Sequence, residues 1–172
     1  MPLATPSEMV ELVKKDDLFQ QWERQRKGYL THLFCAISSE FLVKTDWEVG
    51  FFDPAQNKIT VFARENGTLI VKPADDVFRQ PGTKVEELAI QNVKITPDEA
   101  IATFKENYPS FFPKEVLGDG FLIVQSFQGK TLWNISFITK SLKFVNIKID
   151  AGDGKVASHD SFGLIDKNPM VG

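Results

Sequence analysis

The stretch FLVKTDWEVGFF, residues 41–52, returns as FQGKTLWNISFI at residues 127–138. Phe41, Lys44, Thr45, Trp47 and Phe51 fall on Phe127, Lys130, Thr131, Trp133 and Phe137, a constant shift of 86 residues. The register continues without a gap, with Val49 on Ile135, Ile59 on Val145, Val61 on Ile147 and Ile70 on Val156. Solenoid periods run to about 20–50 residues, so a repeat of this length reads as a duplicated domain rather than a stacked array.

Upstream of each copy stands the same helix signal. TPSEMVELVKK starts at Thr5 and TPDEAIATFKE at Thr96. Each pairs a Thr cap with a Glu three residues on and Pro at the first helical position, where a backbone N–H would find no partner anyway. Ala100, Ile101, Phe104 and Tyr108 follow at helical spacing, and Pro109 is expected to stop that helix. In the first copy Met9, Val10 and Val13 precede Leu18, Phe19 and Trp22. Asp16-Asp17 is expected to divide this region into two helices, with Asp17 and Gln20 as a second capping signal and Gly28 as the end. The cationic run Arg24-Gln25-Arg26-Lys27 suits a helix C-terminus.

The strands follow from alternation of apolar and polar residues. YLTHLFCAIS from Tyr29, WEVGFF from Trp47, ITVFA from Ile59 and TLIVK from Thr68 form the first set. FLIVQSF from Phe121, LWNISFI from Leu132, FVNIKID from Phe144 and a short strand from Lys155 form the second. Turn residues separate them, with Gly67 supplying a positive φ. The expected fold is therefore α+β: two tandem repeats, each a helix packed on a curved antiparallel sheet. The first repeat spans residues 1–80, a linker 81–92, and the second 93–172. The tail LIDKNPMVG is expected to be loosely held.

Bulk properties remove several functions. Net charge is −3 and the pI about 5.4, so no basic excess exists to neutralise phosphates, and a nucleic-acid partner is not expected. No apolar run approaches the ~18 residues of a membrane span. The N-terminus shows no basic or apolar leader region, so the chain as written reads as cytoplasmic, or extracytoplasmic if a signal was trimmed. The single Cys35 rules out an internal disulfide and reads as a small core hydrophobe in LFCAI.

Catalytic and metal signatures are missing from the sequence. His32 and His159 are the only histidines, and neither stands at ligand spacing from further His, Cys or carboxylates. No G-x-S-x-G elbow accompanies a serine that could use the His159-Asp160 pair. The DAGDG run lacks the acidic ladder of a calcium loop and reads as a hairpin turn. Asn66-Gly67-Thr68 matches a glycosylation sequon and is equally a turn. No phosphate-binding glycine motif is present, and no cofactor is expected.

The second copy resembles the PepSY domain family, named for peptidase propeptides. TPDEAIATFKENYP, the strands after it and the closing IDAGDGKVASHD from Ile149 carry the resemblance. Asp150, Ala151, Gly154, Lys155 and Val156 fit the family's closing hairpin, with Asp153 where Thr is common. FARENGTLIV in the first copy keeps the turn and the hydrophobic frame without the Asp-Ala pair or the Lys. The resemblance implies a helix-on-sheet fold of cystatin-like shape and a non-enzymatic module that binds or restrains peptidases.

Two patterns are candidate partner-binding sites. The repeated K-T-x-W gives Lys44 and Trp47 with Lys130 and Trp133, read either as a turn with a core aromatic or as twin aromatic patches. YPSFFPKE sets Phe111 and Phe112 between two prolines, either as an exposed knob or as a plug between helix and sheet. The expected function is binding of a protein or peptide. The alternative is a carrier of a small apolar ligand held between helix and sheet. Edge strands also leave homo-oligomers open.

Overall fold

Strand β1 is the hinge of the architecture, because it pairs with a neighbour from each half of the chain. The computed structural model describes residues 3–76 and 84–164, with side chains over 3–72 and 84–164. Helices α1 (Pro6–Lys15) and α2 (Asp17–Gln25) precede β1 (Tyr29–Ile37), β2 (Glu48–Asp53), β3 (Lys58–Glu65) and β4 (Thr68–Asp76). A short 3-10 turn (Ile90–Asn92) leads to α3 (Pro97–Phe111), β5 (Leu117–Phe127), β6 (Lys130–Thr139), β7 (Lys143–Asp150) and β8 (Val156–Gly163). The strands form one antiparallel sheet in the order β4-β3-β2-β1-β5-β6-β7-β8. Two four-stranded meanders thus meet edge to edge at β1–β5, with Leu33 opposite Val124 and Phe34 opposite Ile123.

Side-chain alternation gives the sheet two different faces. Leu33, Cys35 and Ile37 of β1, Leu122 and Val124 of β5, Trp133, Ile135 and Phe137 of β6, and Val145, Ile147 and Ile149 of β7 all point to one side and are fully buried. The helices cover that side with Met9, Val10, Val13, Phe19, Ala100, Ile101 and Phe104. Burying each large side chain is worth about 1.5–3 kcal/mol, and this continuous layer joins both halves into one core.

The helix starts take the form their sequences dictate. The Thr5 hydroxyl accepts from Glu8 N–H at 3.1 Å, and Thr96 from Glu99 N–H at 3.1 Å. Glu99 returns the bond to Thr96 N–H at 3.2 Å, completing a capping box. The break between α1 and α2 is capped by Asp16 rather than Asp17, its carboxylate accepting from Leu18 N–H at 2.9 Å. The region ends at Gln25, ahead of Gly28.

Pro109 does not stop α3, which runs on to Phe111. A proline in the last turn forfeits a single N–H, and Phe112 N–H closes the turn on Tyr108 C=O at 2.8 Å. Phe111 therefore lies on the helix and Phe112 caps it.

Residues 84–95 return the chain to the second meander. Leu88 is buried and its N–H bonds Leu30 C=O at 2.8 Å. The Pro81-Gly82 turn and the tail from residue 165 lie outside the described residues.

Candidate functional site

The candidate residues of the K-T-x-W pattern part company in space. Trp47 and Trp133 are fully buried, face each other across the core with ring centroids 6.0 Å apart, and so cannot meet a partner at the surface. Each indole N–H instead holds the residue before a helix cap. Trp47 donates to Ala4 C=O at 2.7 Å and Trp133 to Ile95 C=O at 3.3 Å. Lys44 is exposed in the loop after β1, paired with Asp119 at 3.2 Å. Lys130 is exposed at the start of β6. The two lysines lie on different elements, because ten residues separate β1 from β2 whereas only Gln128 and Gly129 separate β5 from β6.

Phe111 and Phe112 form no knob. Phe112 is 5% exposed, and half-buried Phe111 stacks on His159 of β8 at 3.8 Å between centroids. The His159 imidazole is thus part of the seal between α3 and the sheet edge, with Phe112 edge-on at 6.0 Å. Asp160 points to the other face, where Lys148 lies 4.0 Å away. The pair does not converge on one site, because neighbours along a strand face opposite ways. Among the described residues no three His, Cys, Asp or Glu side chains cluster to hold a metal.

The closing hairpin has a positional task. Asp150 takes the N–H groups of Gly152 at 2.7 Å and Asp153 at 3.1 Å, and Gly154 turns the chain at φ +79°. Ala151 C=O, in the bend this creates, accepts from both Lys94 at 2.9 Å and Ile95 at 3.0 Å. The Asp-Ala-x-x-Gly pattern therefore fixes where α3 begins.

The helix-free face of the sheet carries features that neither candidate pattern named. Half-buried Phe34 of β1 stacks on Phe121 of β5 at 5.6 Å, Phe121 meets Phe144 of β7 at 5.8 Å, and Phe144 stacks on Phe162 of β8 at 5.5 Å. This aromatic row crosses the β1–β5 seam, and Ile138 beside it is 41% exposed. Asn146, nearly buried within it, donates to Ser136 Oγ at 2.8 Å and to Asn134 Oδ1. The signal was present in the sequence as strands whose apolar residues occupy both parities, which marks two apolar faces rather than one.

His32 and Gln125 lie opposite each other on the same face, at the end of the β1–β5 seam. A cavity of about 760 Å³ opens there, between the sheet and residues 84–87. Burial pushes the His32 imidazole below its ordinary pKa, against a smaller upward pull from Glu48. On the opposite face burial, aided by the Asp46 charge, pushes the Cys35 thiol up to about 12.

No described helix is long and apolar enough to cross a membrane. No curated protein matches the chain in sequence. Among solved structures, that of a candidate lipoprotein from Clostridium difficile 630 has the same fold, with a TM-score of 0.55 and 14% identity over 92% of this chain and 93% of that one. Residues 94–160 match the family described as "Peptidase propeptide and YPEB domain". The match runs from the segment before α3 through most of β8.

Proposed function

We propose that the chain is a non-catalytic protein- or peptide-binding module whose partner docks on the helix-free face of the sheet. The observation that carries this reading is the aromatic row Phe34–Phe121–Phe144–Phe162, left half-open on the face opposite the helices. Aromatic side chains offer large contact areas at small entropic cost, which suits them to anchor a partner. The family description favours a peptidase as partner, restrained rather than cleaved by this module. The neighbour's description as a candidate lipoprotein favours an extracytoplasmic setting.

The reading includes an origin by duplication, with repeats at 1–80 and 93–172 joined by 81–92. The matching indole bonds of Trp47 and Trp133 to the residues before Thr5 and Thr96 support it. The test is a peptide array and a peptidase panel probed at micromolar concentration with wild type and the Phe121→Ser/Phe144→Ser variant. A partner bound by wild type and lost by a folded variant is the expected result. No partner at that concentration, or equal binding by both proteins, ends the reading.

The second reading, a small-ligand carrier, rests on the cavity beside His32. That cavity lies on the helix-free side rather than between helix and sheet. Native mass spectrometry of freshly purified protein would show a co-purified ligand, and a clean apo mass counts against it.

A further inference from the structure

We propose that the cavity beside the β1–β5 seam is a binding site for a neutral organic ligand. The ligand donates a hydroxyl or amide N–H to Nε2 of His32 and rests an apolar body against Ile59 and Phe127. This inference rests on the carrier reading of this cavity and specifies its ligand, independently of the aromatic row.

The tautomer of His32 follows from its neighbour. The Thr31 hydroxyl has one proton, and Gly50 C=O, 3.2 Å away, can only accept it. With that proton given to Gly50 C=O, the imidazole is the donor in the 2.8 Å contact between His32 Nδ1 and Thr31 Oγ1, and we assign its hydrogen to Nδ1. Nε2 is left as the ring's acceptor; it is not a sealed, unsatisfied atom, so it reaches the open cavity that His32 lines. Burial disfavours the charged imidazole and keeps that acceptor free at neutral pH.

The ring is also fixed in place. It lies over Gly50, where an added Cβ would come within 2.2 Å of Cε1 and 2.6 Å of Nδ1. Only glycine leaves that space, so the imidazole is pinned by its backbone floor and by Thr31. A pre-positioned acceptor loses little freedom when a ligand binds.

Size and charge narrow the ligand. A volume of about 760 Å³ lies inside the ~300–1,000 Å³ range of small-molecule sites. Ile59 and Phe127 supply apolar wall, and Gln125 adds an amide beside His32. Among the described residues, the charged groups at the wall are Lys84, Glu86 and Glu87. Glu86 is committed to Gln128 N–H at 2.6 Å and Gly129 N–H at 2.8 Å. Glu86 keeps its charge but is occupied by those two N–H groups, and the excess of carboxylate over cation disfavours an anionic guest. A metal would need more than the single imidazole, and no cluster of three ligands exists among the described residues.

The test is imidazole ¹⁵N NMR of the full chain, titrated separately with phenol and with benzene. Phenol carries the donor and the apolar body, whereas benzene has only the body. The expected spectrum shows His32 protonated at Nδ1 with Nε2 bare. Phenol should then shift Nε2 saturably and bind about tenfold more tightly than benzene, the worth of one net hydrogen bond. His32 protonated at Nε2, no saturable shift with phenol, or equal affinity for the two probes would each overturn the proposal.

Discussion

Replacing Trp47 or Trp133 by Phe removes the indole that links each helix start to the sheet. Each change deletes part of a fully buried ring and the N–H that satisfies Ala4 C=O at 2.7 Å or Ile95 C=O at 3.3 Å. The lost packing costs about 2 kcal/mol and the unmade hydrogen bond about 1 kcal/mol more. Each variant should therefore lose about 3 kcal/mol, with Trp47→Phe the more damaging because its bond is shorter. With a urea m-value of about 2 kcal/mol/M, that is a fall of about 1.5 M in the unfolding midpoint.

The rings lie 6.0 Å apart, so the double variant should deviate from the sum of the singles by about 1 kcal/mol. Urea unfolding followed by far-ultraviolet circular dichroism measures all four proteins. A single transition is expected throughout, since β1–β5 pairing and the shared core join both halves. Losses below about 1 kcal/mol, strict additivity or two separate transitions for the wild type would refute the account of a joint core anchored by these indoles.

Gly50→Ala should destabilise by about 2 kcal/mol, because its Cβ would displace the His32 ring; an unchanged melting temperature would contradict this. Stability should also fall on acidification. His32 has a folded-state pKa below the ordinary 6.5, so the unfolded chain takes up its proton first as pH drops. The stabilisation is complete above 6.5 and declines below it, with a slope of at most about 1.4 kcal/mol per pH unit. His32→Gln should flatten that slope in urea titrations, and equal slopes in the two proteins would remove His32 as its source. Cys35, buried with its thiol pushed up to about 12, should react with a disulfide reagent only as fast as the sheet opens. Stoichiometric labelling of the native protein within seconds would show that β1 is more accessible than its packing implies.

Much of the fold is legible in the residues themselves. Thr5-Pro6 and Thr96-Pro97 announce helix starts because a hydroxyl cap and a missing N–H act within one turn. The strands show through alternation, and the matched tryptophans mark equivalent points of two meanders. Less legible was Pro109, whose effect depends on its distance from the helix end. Phe41 and Phe127 also misled, since they align in sequence but separate in space. Phe41 packs against Phe104 and Phe137 under α3, whereas Phe127 is 45% exposed beside the cavity. The longer β1–β2 connection carries Phe41 away from the position that the short β5–β6 hairpin gives Phe127.

The sequence by itself determined the local elements: where helices begin, which segments extend, and the PepSY pattern at the closing hairpin. Those signals are short-range, set by capping, alternation and turn conformation. The tertiary structure alone decided that the meanders join at β1 and β5, because backbone pairing between edges leaves no mark on side-chain type. That join places Phe34 beside Phe121 and His32 opposite Gln125, residues about ninety positions apart that no local pattern could bring together. Both candidate sites arise from this one seam.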